Sequence, residues 1–185
     1  MKVFIRLVVF FLLLNGFMAN RVADSLIQKS CKENSRIYAE PYTYKFCITS
    51  IKENPESQKV RNVDELTVVC TNSAISNLTK VKGIVENILN EKKYKNKLSH
   101  TFLRECLKLY SEGYELLISA MKYLKTRDYE KFIGNMDMAK GKPKACEMKF
   151  NDDNHQISPV KKENIVLFDM INIPYYFCFN AHING

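Results

Sequence analysis

The sequence predicts an all-α protein, an antiparallel four-helix bundle that follows a short helical hairpin and is stabilised by disulfides. Apolar residues recur at steps of three and four along most of the chain, which is the period of a helix. No segment has the alternation of a strand. Six cysteines follow an N-terminal export signal, and in an oxidising compartment cysteines form stable crosslinks.

The start of the chain has the pattern of a secretory signal peptide. Lys2 and Arg6 supply its positive charge, and the apolar run 7–14 follows. That run is too short to cross a bilayer, which takes about 20 apolar residues. We place the signal at residues 1–19, with cleavage somewhere in 16–23. The expected destination is outside the cell or in a vacuole, with no membrane attachment after cleavage.

The next segment, residues 24–53, predicts the helical hairpin. Residues 23–31 and 44–51 have the pattern of two short helices, with Pro41 between them. Helices of this length are marginal in water, so the pair needs a crosslink or tertiary packing to persist.

Residues 60–183 carry the four segments of the bundle. One apolar stripe runs from Leu66 to Ile88 and a second from Leu103 through Tyr114 to Leu124. The polar linker between these stripes is short, so the two helices are antiparallel neighbours.

The third and fourth helices start at residues typical of helix entry. Asp128 has the side chain of an N-cap, and Ser158-Pro159 precedes the last stripe. A proline inside a helix removes a hydrogen bond and clashes with the preceding turn. Pro143 is therefore predicted to kink or break the third helix, and Pro174 to bend the fourth or end it early.

Composition and motifs argue against several classes of function. The net charge of +8 suits acidic polysaccharide or a carboxylate-lined cleft as a partner, and equally suits mere solubility. Lys and Arg are dispersed and no RNA-binding motif occurs, so nucleic acid is not an expected partner. His100, His155 and His182 are far apart, which argues against a ribonuclease. We expect no catalytic residue, metal or cofactor.

Asn77-Leu78-Thr79 is an acceptor sequence for N-glycosylation. In a secreted chain it predicts a modified Asn77 at the surface.

A series of short motifs resembles the plant invertase and pectin methylesterase inhibitor family over the whole mature chain. Its nearest branch is the invertase inhibitors of the pollen-allergen type. The order and spacing of the motifs carry the resemblance more than any one of them. In chain order they include Ser30-Cys31, Tyr44-Lys45-Phe46-Cys47, Asn54-Pro55-Glu56-Ser57, Cys106-Leu107-Lys108-Leu109-Tyr110, Arg127-Asp128-Tyr129, Cys146-Glu147-Met148-Lys149-Phe150 and Ser158-Pro159-Val160.

The resemblance implies the same bundle-and-hairpin fold and two disulfides. Six cysteines alone would allow 15 pairings. The family pattern implies Cys31–Cys47 and Cys106–Cys146. Cys70 lies in an apolar stripe, which favours a buried thiol, and a third bridge between Cys70 and Cys178 is the alternative.

The resemblance also implies a secreted, apoplastic protein inhibitor rather than an enzyme. One branch of the family plugs the sucrose-binding cleft of acid invertase, and the other covers the active-site groove of pectin methylesterase. We expect one-to-one binding to the target enzyme. The resemblance favours acid invertase slightly over pectin methylesterase as that target. A secreted lipid-binding helical protein is the alternative class, although neither CC nor C-x-C occurs and the helices are long.

In invertase inhibitors a Pro-Lys-Phe motif follows an aspartate and enters the enzyme's cleft. Counting back from Cys146 places the motif at residues 129–131, where its residues are missing. A slip of one residue would give its roles to Lys131 and Phe132. The alternative is that the aspartate only caps a helix and the aromatic residues only pack. The candidate partner-binding residues are Asp128, Tyr129, Glu130, Lys131 and Phe132.

Overall fold

The computed structural model describes residues 21–36, 41–151 and 157–184, and the described residues contain no strand. The all-α prediction is confirmed. The predicted signal at 1–19 and nearly all of the polar loop around 151–155 lie outside the described residues. The helices are α1 (described over 21–36), α2 (Pro41–Lys52), a 3-10 helix (Pro55–Lys59), α3 (Val63–Asn90), α4 (Lys97–Lys125), α5 (Tyr129–Asn151) and α6 (Lys161–His182).

The chain divides into two compact units, 1–69 and 70–185, and the boundary falls within α3. In the first unit a disulfide joins Cys31 of α1 to Cys47 of α2, and both sulfur-bearing residues are fully buried. An ion pair of 2.9 Å between Lys52 Nζ and Asp24 Oδ1 joins the same two helices. The hairpin helices and the first implied disulfide are thus both present.

The start of α3 is fixed by a reciprocal pair of side chains. The backbone N–H of Glu65 donates to Asn62 Oδ1 at 2.9 Å, and the Glu65 carboxylate accepts from the backbone N–H of Arg61 at 2.7 Å. This exchange satisfies donors that have no partner within the helix and so sets where α3 begins.

In the second unit, α4 and α5 run antiparallel. The disulfide Cys106–Cys146 links them near one end, and Lys142 Nζ lies 2.6 Å from Glu112 Oε2 one and a half turns further along. Their connection is only residues 126–128, which leaves room for no other arrangement.

The pair α5 and α6 is also antiparallel. Tyr129 at the start of α5 stacks on His182 at the end of α6. Near the opposite ends of the two helices, Asn164 Nδ2 donates to Glu147 Oε1 at 2.6 Å.

The helix α3 contacts both neighbours that complete the bundle. Leu78 lies against Gly113 of α4, and Val81 and Ile84 line a groove together with Val166 of α6. The part of α3 in the second unit therefore lies beside both α4 and α6.

The predicted α4 stripe is displaced by one residue at three positions, where the buried residues are Cys106, Gly113 and Ala120 instead of Leu107, Tyr114 and Met121. Tyr114 is 38% exposed, whereas its neighbour Gly113 is buried. The buried series is Leu103, Cys106, Tyr110, Gly113, Leu117, Ala120 and Leu124. Glycine carries no apolar side chain, so hydrophobicity alone could not place it in the stripe; it is buried because α3 and α5 approach α4 closely there.

Neither proline ends its helix, because α5 continues through Pro143 and α6 continues through Pro174, so the predicted break and the predicted early end are absent. Pro174 is buried among core residues of α6. Tertiary packing supplies most of the stability of a helix in a protein, and here it outweighs the one backbone hydrogen bond that each proline removes.

The helical glycines provide a matched test of this packing. A Cβ at Gly113 would lie 3.1 Å from Leu78 Cδ1 and 3.4 Å from Lys142 Cγ, whereas a Cβ at Gly83 or Gly134 would meet nothing within 4 Å. We expect Gly83→Ala and Gly134→Ala each to raise the free energy of unfolding by about 0.5–1 kcal/mol. Gly113→Val should lower it by about 1–3 kcal/mol. Urea unfolding followed by circular dichroism measures all three, and an equally stable Gly113→Val variant would contradict the packing.

Candidate functional site

The turn between α4 and α5 is short and closed by backbone hydrogen bonds. Arg127 has a positive φ of 59°, the left-handed conformation that commonly ends a helix. The N–H of Asp128 donates to the carbonyl of Tyr123 at 2.9 Å, and the N–H of Arg127 donates to the carbonyl of Leu124 at 3.1 Å. These bonds satisfy the last carbonyls of α4 and hold the turn in one conformation.

Asp128 caps the next helix. Its Oδ1 accepts from the backbone N–H of Lys131 at 3.3 Å, and its Oδ2 lies 2.7 Å from Lys131 Nζ. The hydrogen bond from Lys131 lowers the pKa of Asp128 below its usual value. Stabilisation of this sign is present above the pKa of the unfolded carboxyl and is lost as the pH falls through the lower folded-state pKa. The cap therefore stays formed at mildly acidic pH.

The exposed side chains of the turn are occupied by local contacts. Lys131 Nζ, already paired with Asp128, also lies 5.4 Å from the ring centre of Tyr123. The Tyr129 ring is stacked on His182, with ring centres 3.6 Å apart and planes 3° from parallel. Glu130 is exposed beside them. The turn therefore presents a flat aromatic pair flanked by one carboxylate and one ammonium group.

Phe132 does not belong to this exposed surface. Its side chain is fully buried, and its backbone N–H donates to the Asp128 carbonyl at 3.0 Å as part of the first turn of α5. The slipped Lys131-Phe132 alignment gives both side chains a role outside the bundle, whereas the Phe132 side chain packs inside it. Helical spacing places it in the core with Met136 and Ala139, which are also fully buried.

A second surface, between α5 and α6, escaped the sequence reasoning. A groove of about 350 Å³ runs between the helices, and the exposed Met148 and Ile165 line it. Lys144 Nζ lies 4.1 Å from the ring centre of Phe168, and Lys140 Nζ lies 4.0 Å from that of Tyr175. Such cation–π contacts hold the aliphatic part of each lysine side chain against the face of an aromatic ring.

The floor of that groove is held by a buried polar network. Tyr110 Oη donates to Asn164 Oδ1 at 2.7 Å, and Asn164 in turn donates to Glu147. Burial raises the pKa of Tyr110, which keeps its hydroxyl protonated and able to donate. In the sequence, this network is indicated by Asn164, a polar residue within the apolar stripe of α6. A polar residue in the core needs hydrogen-bonding partners.

The remaining cysteines are buried thiols outside the two disulfides. The structure contains Cys106–Cys146, as the resemblance implies, and no bridge between Cys70 and Cys178. Burial raises the pKa of the Cys70 thiol, so little reactive thiolate forms there.

Other groups singled out in the sequence lie in plainly structural settings. The Asn77 sequon falls in the middle of α3 and Asn77 is half-buried, and its glycosylation stays a prediction. His100 lies beside Tyr94, with ring centres 5.0 Å apart, and His155 is outside the described residues.

Within the described ranges no three acidic, histidine or cysteine side chains are grouped as metal ligands, and no helix is long and apolar enough to cross a membrane.

Comparison with known proteins addresses the family directly. The family model described as plant invertase/pectin methylesterase inhibitor matches residues 25–175. A protein of Arabidopsis thaliana named "Pectinesterase inhibitor 12" is 34% identical over 178 residues, 96% of this chain and 98% of that protein. Two proteins named "Putative invertase inhibitor", from Platanus acerifolia and Platanus orientalis, are each 26% identical over 164 residues, 89% of this chain and 89% of theirs.

The matches extend over the hairpin and the bundle alike, and they agree with the resemblance found in the motifs. The chain therefore belongs to the plant invertase/pectin methylesterase inhibitor family and is a proteinaceous inhibitor of plant enzymes.

Proposed function

We propose that this chain is a secreted inhibitor of a pectin methylesterase, that it covers the enzyme's groove in a one-to-one complex, and that it catalyses no reaction itself. The export signal at its start, its two disulfides and a family of extracellular inhibitors support secretion. The sequence alone favoured acid invertase slightly over pectin methylesterase as the target. The structure of the α4–α5 turn leads us to reverse that order.

The observation that carries the proposal is the burial of Phe132 together with the pairing of Lys131. An invertase inhibitor of the resembled type inserts an exposed lysine and phenylalanine into the sucrose-binding cleft. Here the phenylalanine is fully buried, and the lysine ammonium lies 2.7 Å from the Asp128 carboxylate. Presenting both side chains to an enzyme would require the first turn of α5 to unfold and the core to lose an aromatic residue.

Charge at the turn points the same way. Glu130 is exposed at the position nearest the missing motif. In an invertase cleft it would face catalytic carboxylates, and apposed like charges lower affinity. The Tyr129 ring is also held against the His182 ring, so it is not free to extend from the turn.

The relatives add support of a different kind. The 34% identical Arabidopsis protein is named for pectinesterase, and it matches nearly the full length of both chains. The relatives named for invertase are less similar, at 26% identity.

The fold suits inhibition by steric blockage. Two disulfides and a closed three-residue turn leave the surface little freedom to lose on binding, so a larger share of the contact energy becomes affinity. An interface of about 1,600 Å² in total is enough for a specific complex of this kind.

Titration of the refolded mature protein against a pectin methylesterase and an acid invertase at acidic pH tests the proposal. We expect stoichiometric inhibition of the esterase and none of the invertase. Glu130→Lys removes the repulsive carboxylate, and Glu115→Lys makes the same change at another exposed position on α4. Neither variant should gain invertase inhibition, because Phe132 stays buried in both.

Two results would count against the proposal. The first is invertase inhibition by the unaltered protein without inhibition of the esterase. The second is a gain of invertase inhibition in Glu130→Lys but not in Glu115→Lys, since that difference would place this turn inside the invertase cleft.

A further inference from the structure

A groove of about 240 Å³ between α3 and α6 is separate from the two surfaces described above. Its polar lining comes from both helices, and its floor is apolar, with Val81 on one side and Val166 on the other. The polar residues are Asn77, Lys80, Lys162 and Glu163.

Asn77 has unmet hydrogen-bonding capacity in this groove. Its Oδ1 is fully buried and accepts no hydrogen bond, and its amide nitrogen is not among the fully buried atoms and donates none within the described residues. A half-buried amide without partners is costly, so native structures rarely leave one unexplained. The amide nitrogen is the atom that a ligand in the groove can reach, and a ligand hydroxyl can accept its hydrogen bond.

The two lysines are the second observation. Lys80 and Lys162 are exposed on different helices, and neither has an ion pair in the described part of the chain. By contrast, Lys131 and Lys142 each lie within 2.7 Å of a carboxylate. The groove therefore carries two uncompensated positive charges, and the start of α6, whose cap Val160 makes no side-chain hydrogen bond, adds the positive end of a helix dipole.

Glu163 is the acidic residue of the groove. It lines the groove beside Lys162 and is half-buried. Two ammonium groups outnumber this carboxylate, so the groove remains favourable for an anion.

We propose that this groove binds a uronate residue of an acidic oligosaccharide. The carboxylate would lie between Lys80 and Lys162, a ring hydroxyl would accept from the Asn77 amide nitrogen, and the apolar face of the ring would cover Ile84 and Val166, which are half-buried. A sugar acid supplies all three features in one ring.

The site requires an unmodified Asn77, and the local structure favours one. Leu78 of the sequon is fully buried, and Thr79 Oγ1 donates to the Ile75 carbonyl at 3.0 Å within α3. Once α3 has formed, the acceptor sequence is helical and only half-accessible rather than an exposed loop.

Calorimetry with the refolded mature protein and no enzyme tests the site independently of inhibition. The probe is a de-esterified oligogalacturonide, compared with its fully methyl-esterified form and with a polyglutamate of equal charge. We expect the acid to bind and each comparison ligand to bind at least about tenfold more weakly. Lys80→Ala/Lys162→Ala should weaken binding of the acid about tenfold, and Asn77→Ala several-fold.

The control is Lys108→Ala/Lys122→Ala, which removes the same net charge from exposed positions on α4 and should leave binding unchanged. Equal binding of the acid and the methyl ester, or equal losses in the two double variants, would overturn the site. Equally tight binding of polyglutamate would assign the groove to acidic peptides instead. A glycan found on Asn77 by mass spectrometry of the secreted protein would also overturn the proposal.

Discussion

Replacing Phe132 with alanine is expected to lower the free energy of unfolding by about 3–5 kcal/mol, as removal of a fully buried aromatic side chain does. Phe132 has no exposed surface in the structure, and it continues a core stripe through Met136 and Ala139. Urea unfolding measures the loss, and size-exclusion chromatography shows whether the variant remains compact.

Lys131→Ala is the matched control for this variant, because Lys131 is the exposed neighbour on the same turn of helix. Its loss removes a surface ion pair with Asp128, which is worth little, so its unfolding curve should stay close to that of the unaltered protein. A small loss of stability for Phe132→Ala, together with loss of inhibition in a folded protein, would return Phe132 to the binding surface.

This residue shows why sequence alone left the site ambiguous. The helical period of the sequence placed Phe132 in the core. An alignment shifted by one residue placed it instead in the inhibitory Lys-Phe pair. Periodicity and motif counting each use only positions along the chain. The distinction between them needs the direction of the side chain, which depends on where α5 starts, and that start is set by the hydrogen bonds of Asp128.

The fold was more accessible than the site because it depends on patterns that repeat. The α3 stripe predicted from Leu66 to Ile88 is buried as far as Val85, and Ile88 is half-buried; many positions contribute to such a stripe, so a single error matters little. Single-residue effects were harder to predict. Pro143 and Pro174 looked like helix ends because local chemistry disfavours them, yet the packing of neighbouring helices decides the outcome.

The surfaces were the least predictable part. The groove between α5 and α6 forms from Met148 and Ile165, which lie 17 positions apart in the sequence numbering and share no motif. Likewise, Asn77 was recognisable only as a sequon, whereas its place beside Lys162 depends on the approach of α3 to α6.

Removing the disulfide Cys106–Cys146 should have the other large effect on stability. The bridge closes a separation of 40 residues, against 16 for Cys31–Cys47. The chain-entropy estimate then gives losses of about 4 kcal/mol and about 3 kcal/mol for paired replacement by alanine. Alanine pairs avoid the exchange with the buried thiols of Cys70 and Cys178 that reduction would permit.

The two pairs should also differ in what they disturb. Cys146 Sγ lies 3.1 Å from Tyr110 Oη, beside the network that fixes α4, α5 and α6 to one another. Loss of this bridge therefore acts on the bundle as a whole, whereas loss of Cys31–Cys47 acts on α1 and α2. Hydrogen exchange should show faster exchange throughout α4–α6 in the first variant and mainly in the hairpin in the second. If the hairpin pair proved the costlier of the two, loop closure would not be the source of the stabilisation.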